Sequence, residues 1–327
     1  MVSLFGLDPG AYTPSALHGP DRVFRETNCY VDLWIELLHA QGIDPGSAMS
    51  FACATQFEGD QWTFFKPPPE LLLRLYGIDV HEMQLYRPIA DHVVEQIRAC
   101  RSVIIEADSF YLPDRVDTSY RSVHEKSSIA IEAMDPGAHL LRYFHGAGYY
   151  ELSGEDYCGV FRIGREYSVD VLPPYVEIAR FDAGPRRSGD ALMDEACVIL
   201  REQVTRMTAR NPWLDFGRRL CRDLPGLLAG SDRDYHVYAF ATLRQCGAAF
   251  ECAKSFVDWL RNPPCRESKA ASEALDRQVN QAKTLLFKLA RRRPFDPLPF
   301  IEAAAADWEI TMRALDLLSL GVAREAV

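Results

Sequence analysis

Residues 29–41, CYVDLWIELLHAQ, constrain this chain more than any other stretch. Asn28 stands immediately before them as an N-cap, so the spacing predicts a helix that begins at Cys29. Val31, Leu33, Trp34, Ile35, Leu37 and Leu38 cover most of its circumference, while Asp32, Glu36 and His39 fall on one side. So wide an apolar face belongs to a helix enclosed on several sides. The first part of the chain must therefore build a domain around this helix. The segment QGIDPGS ends it.

From there to about residue 180 the chain reads as mixed structure. The triple proline in FEGDQWTFFKPPPELLLRLYG forbids a helix before about Glu70. His81 and His92 lie in a charged stretch that reads as helical and solvated. Strand-like runs stand at 102–108, 127–135, 139–145 and 159–164, and MDPGAH makes a turn between the second and third. The segment 181–190, FDAGPRRSGD, has the character of a linker. Beyond it 191–209, 213–229, 236–261, 268–292 and 299–319 carry helical patterns, broken at RNP, RNPPC and RRRPFDP. The class is α+β, with a mixed domain over 1–185 and an all-helical domain over 186–327.

Composition narrows the function. Apolar residues are 48% and charged residues 25%, a globular profile, and no run approaches the roughly 18–20 apolar residues of a membrane helix. The first residues, MVSLFGLDPGAYTPS, lack the basic start and apolar run of a secretory signal. Nine cysteines without a CxxC pair or metal-ligand spacing suit reduced thiols in a cytoplasm, with no metal expected. Net charge is −11 over 1–189 and +1 over 190–327, which argues against a general nucleic-acid surface on the first part. The run KTLLFKLARRR at 283–293 is the basic exception; a solvated helix end with cations at its C-terminus accounts for it better than a binding patch does.

Among chemical motifs the first helix stands out. A cysteine in a first turn meets unpaired backbone N–H groups and the positive end of the helix dipole, which favour a thiolate and can line an oxyanion site. The competing reading is a buried thiol like any other. A nucleophilic cysteine needs a base and a group that orients it. His124, entering a strand after DSFYLPDRVDTSYRSVHEK, is the best placed, and His145 at the end of the third strand is the next. Asp135, at the far end of the His124 strand, and Asp108, at the end of the strand before it, are the candidate orienters. Gly-rich phosphate loops, G-x-S-x-G and H-E-x-x-H are all missing, which leaves nucleotide, serine-hydrolase and zincin chemistry without support. His236, Arg244 and Gln245 are polar groups in an apolar helix and read as satisfied groups at a domain interface.

The stretches ETNCYVDLWIELLHAQGIDP, FEGDQWTFFKPPPELL, YLPD…SYRSVHEKSSIAIEAMD, YFHGAGYYELSGEDY and HVYAFATLRQCGAAFE together resemble the DUF1839 family over nearly the whole chain. That family is similar, over its first domain, to the papain-like N-terminal domain of the butirosin-type BtrH acyltransferase. The resemblance implies a papain-like thiol-enzyme domain and an aminoacyltransferase. Such an enzyme takes its group from the phosphopantetheine thioester of a carrier protein and passes it to a small amine, with no cofactor of its own. Aminoacyl-tRNA as donor, water as acceptor, or a non-catalytic partner of a carrier-protein ligase are the alternatives. On this reading Cys29 is the nucleophile and His124 the base. Asp135 comes first as orienter, with His145 or Asp108 in reserve. Asn28, Gln61 or backbone N–H groups would hold the oxyanion. Residues 57–66, including Asp60 and Gln61, would line the acyl channel, unless Trp62, Phe64 and Phe65 simply pack in the core. Lys283, Lys288, Arg291, Arg292 and Arg293 would receive an acidic carrier.

Overall fold

A computed structural model describes residues 1–164, 172–207, 210–261 and 264–320. They fall into two compact units. The first comprises residues 1–19, 28–45 and 69–187; the second comprises 20–27, 46–68 and everything from Ser188 onward.

The first unit is built on an antiparallel sheet. Its elements in chain order are β1 (Val2–Ser3), α1 (Cys29–His39), α2 (Pro69–Tyr76), β2 (Asp79–Glu82), α3 (Ile89–Arg98), β3 (Arg101–Asp108), β4 (Lys126–Asp135), β5 (Leu140–His145), β6 (Gly148–Ser153), α4 (Glu155–Val160) and β7 (Val176–Arg180). The strand order is β2-β7-β3-β4-β5-β6, and β1 pairs with the far half of β4, beyond the end of β3. Register aligns Glu177, Ile104, Ala130, Phe144 and Tyr149 in one row across five strands. The α1 helix lies on that face, packed on β4, β5 and β6, with Tyr30 reaching Glu177. The opposite face, with Val103, Ile105, Ile129, Ile131 and Tyr143, joins Ile89, Val93 and Ile97 of α3 in the core.

The enclosure of α1 extends to its polar side. Asp32 and Glu36 are buried rather than solvated, because His18 stands between them: its Nδ1 meets Glu36 and its Nε2 lies 3.2 Å from Asp32. Tyr12 donates to Glu36 at 2.6 Å. Glu132, also fully buried, accepts from Ser3 Oγ, from the Leu4, Phe5 and Gly6 amides and from Tyr149 Oη, which fixes the first residues on the sheet.

Some sequence expectations fail here. The run at 159–164 is not a strand; it contains the end of α4 and a turn. Gly159 is there because the Tyr111 ring occupies the space a side chain would need. His81 sits on β2, not a helix, and binds Asp79. His92 is on α3 but buried, so burial lowers its pKa. Strands β1, β2, β6 and β7 have no counterpart among the expected strands.

The second unit is helical: α5 (Gly189–Arg206), α6 (Pro212–Ala229), α7 (Asp232–Ala239), a π-helical turn (Phe240–Arg244), α8 (Gln245–Leu260), α9 (Arg266–Ala290) and α10 (Leu298–Ser319). Its core takes in the 46–68 segment. Trp62 packs edge-on to Trp213 and Phe250 and tilted against the neighbouring Phe216, at centroid distances of 5.3–5.8 Å. Phe65 is buried and Phe64 is exposed. No helix among the described residues is long and apolar enough to cross a membrane.

Candidate functional site

The candidate site forms where β3 ends and β4 begins. Antiparallel pairing sets Asp108 against Lys126, so the connection 109–125 must leave and return at the same end of the sheet. Asp108 does two jobs there. Its Oδ1 accepts from the Phe110 amide at 3.1 Å, capping a short 3₁₀ turn, and its Oδ2 lies 2.6 Å from His124 Nδ1. The Phe110 ring stacks on the imidazole with centroids 4.4 Å apart. The Ser109 amide donates to the Glu125 carbonyl at 2.8 Å and closes the connection. Arg121 lies near the Phe110, Tyr111 and Tyr120 rings and pairs with Asp156 at 2.6 Å.

With an ionised carboxylate on Nδ1, that nitrogen carries the proton, and Nε2 is the basic atom. Nε2 has no hydrogen-bond partner among the described residues, and the side chain is 66% exposed. His124 lines a groove of about 610 Å³ together with Asp108, Lys126, Glu106, Glu82 and Tyr175 among others. An oriented imidazole on an open groove can act as a general base.

Cys29 opens α1, with Asn28 extended (φ −128°) and its Oδ1 accepting from the Val31 amide at 3.2 Å. The cysteine is half-buried. The first turn of the helix and the groove wall share Glu177: Tyr30 Oη donates to its Oε2 at 2.6 Å and Tyr175 Oη to its Oε1 at 2.9 Å. Burial, reinforced by the Glu177 charge, raises the Tyr30 pKa and keeps that phenol protonated. No hydrogen bond joins Cys29 to His124 among the described residues. A thiol–imidazole contact is found instead between α4 and the turn before β5, Cys158 Sγ to His139 Nδ1 at 3.6 Å.

Two assignments need correction. Asp135 cannot orient His124: β4 is ten residues long, which puts its two ends about 30 Å apart. Asp135 is occupied by the Met1 amino group and the Gly137 and Ala138 amides. His145 is neither an orienter of His124 nor open to substrate, being 2% exposed with both ring nitrogens engaged.

His145 belongs to a buried chain of polar groups that sequence reasoning alone misses. Tyr143 Oη donates to Asp114 Oδ1 at 2.6 Å, Asp114 Oδ2 meets His145 Nδ1 at 2.5 Å, and His145 Nε2 meets Ser127 Oγ at 2.6 Å. Burial pushes the Asp114 carboxyl up, but the His145 hydrogen bond and charge and the Tyr143 hydroxyl outweigh it, leaving the pKa below the usual carboxylate range. The alternation of Tyr143 and His145 along β5 is the available signal, since both must point to one face.

Asp60 and Gln61 stand exposed at the tip of the turn between Phe57 and Trp62, in the second unit. Lys283 and Arg291 are exposed, whereas Lys288 is half-buried with its ammonium 5.6 Å from the Phe300 ring. Arg292 is held by the Gly230 and Ser231 carbonyls. Gln245 donates to the Thr27 carbonyl at 3.3 Å. His236 is exposed and Arg244 lies by Phe240.

No curated protein matches the chain. Family models match almost all of it: the DUF1839 N-terminal domain fits residues 13–181 and the DUF1839 C-terminal domain fits 189–317. The chain belongs to the DUF1839 family.

Proposed function

We propose that the protein is a papain-like thiol acyltransferase that moves an aminoacyl group from a carrier-protein thioester to an amine. The observation that carries the reading is the His124–Asp108 pair, an imidazole fixed through Nδ1 on the wall of a groove. The N-capped start of α1 at Cys29 supports it, because that is where backbone N–H groups favour a thiolate and an oxyanion. The order of chain elements, cysteine helix first and histidine strand later, is also that of papain-like enzymes.

In the first half-reaction the Cys29 proton passes to His124 Nε2 and Sγ attacks the thioester carbonyl. The tetrahedral oxyanion collapses, the carrier's pantetheine sulfur leaves, and the imidazolium returns a proton to it. In the second half-reaction Nε2 takes a proton from the acceptor amine as it attacks acyl-Cys29, then reprotonates the departing thiolate. Asp108 keeps Nδ1 protonated throughout. Sγ and Nε2 must come within hydrogen-bond reach for this transfer.

Intact mass after incubation with an aminoacylated carrier protein tests the reading. The expected result is an acyl adduct that maps to Cys29, is missing in Cys29→Ala, and forms on the order of 10²–10⁴-fold more slowly in Asp108→Asn. A wild-type protein that binds the carrier but never acquires the adduct would make it a binding partner instead. An adduct formed only from aminoacyl-tRNA, or one discharged to water alone, would change the donor or the acceptor.

A further inference from the structure

The buried chain Tyr143–Asp114–His145–Ser127 ties together two points of the polypeptide that flank His124. Asp114 sits in the connection 109–125, before His124, and Ser127 is the second residue of β4, three positions after it. Both end on one imidazole, that of His145 at the end of β5. The side chains of His145 and Asp114 are 3% and 4% exposed, so bulk water does not compete for these hydrogen bonds.

The atoms follow the order of a serine hydrolase triad, hydroxyl to Nε2 and carboxylate to Nδ1. The location does not suit that chemistry. Ser127 is 8% exposed in the interior of a β-ladder, so its Oγ is largely closed off from an acyl group. A nucleophilic serine is instead presented at an exposed turn.

We infer that His145 is a positioning residue for His124. It pins the middle of the connection to β5 and the start of β4 to the same ring, and so fixes where the connection returns. That return carries His124 onto Asp108 and Phe110. With Asp114 ionised, His145 Nδ1 must donate, and Nε2 can accept from Ser127 when neutral or donate to it when charged. The clamp thus holds in either charge state. Its bearing on catalysis rests on the acyltransferase reading; the positioning itself does not.

Nitrogen-15 NMR of the histidine rings in the full chain reads the inference directly. In the wild type, neutral His124 is expected as the Nδ1–H tautomer that Asp108 selects. In His145→Ala that preference should be lost, and donor turnover kcat should fall about 10–100-fold with KM unchanged. His145→Asn, which returns an N–H to Asp114, should restore much of both. If His145→Ala fails to fold, Asp114→Asn provides the same comparison. A His124 tautomer unaltered in these variants would overturn the inference, as would labelling of wild-type Ser127 by a fluorophosphonate. A tautomer change in a protein that transfers no acyl group would uphold the positioning and refute the acyltransferase reading alone.

Discussion

Asp114 is the residue whose charge can be followed most directly from the bench. Its folded pKa lies below the ordinary carboxylate value because His145 and Tyr143 stabilise the charged form more than burial penalises it. A depressed folded pKa means stability that is fully present above the unfolded value, about 3.9, and lost as pH falls through the folded one. Urea unfolding of the wild type below about pH 4 should therefore show a steep loss to which Asp114 contributes. Asp114→Asn should be less stable near pH 7, by about 1–3 kcal/mol for an impaired buried hydrogen-bond set, and less sensitive to acid. Parallel pH profiles for the two proteins would mean that Asp114 has the same pKa in the folded and unfolded chains, so that His145 and Tyr143 do not favour its charged form. Asp108, by contrast, is partly exposed and shares its carboxylate between a turn and an imidazole.

At the level of elements, the legible parts are those with a strong local pattern. The α1 helix is readable from Asn28 and its apolar face, and the five helical patterns beyond residue 190 stand in the fold close to their expected places. Strands β2 and β7 are not readable, because they are four and five residues long and pair chiefly with each other and β3 across long sequence distances. The same blindness decides the orienter. Asp108 and Asp135 both end strands, and only the antiparallel register of β3 with β4 brings one of them to His124. The run GVFRIG shows local pattern overridden by packing, since Gly159 ends up in α4 under the Tyr111 ring. A Cβ at residue 159 would lie 2.2 Å from Tyr111 Cδ1, so Gly159→Ala must displace the ring. Overpacking of this kind costs typically about 1–3 kcal/mol. The expected result is a lower urea midpoint together with altered His124 ring resonances, because Tyr111 adjoins both Phe110 and His124. A lower midpoint with unaltered His124 signals would confine Tyr111 to a packing role.

Across the whole molecule, charge and chain path act at a scale that no single element reveals. The segments 20–27 and 46–68 belong to the helical unit although they flank α1 in sequence. Phe24 fills the space beside Gly247, and Glu251 receives the Val23 and Phe24 amides, so long-range packing rather than local composition assigns these segments. Charge divides differently: residues 1–189 carry −11 and 190–327 carry +1. On the proposed reading the donor is an acidic carrier protein, and like charge on the first part disfavours encounter there, which leaves the exposed Lys283 and Arg291 as the place where such a carrier would gain most. Lys288 is a poorer choice, because its ammonium already lies over Phe300. Reversal at two exposed cations, Lys283→Glu with Arg291→Glu, should slow acyl transfer from an intact carrier and leave transfer from a small pantetheine thioester unchanged. The deficit should shrink as salt rises, since screening at 0.15 M already acts over about 8 Å. Equal losses with both donors would place these residues in the support of the fold or the site. Equal rates with both would move the landing surface elsewhere on the protein while leaving the proposed chemistry at His124 untouched.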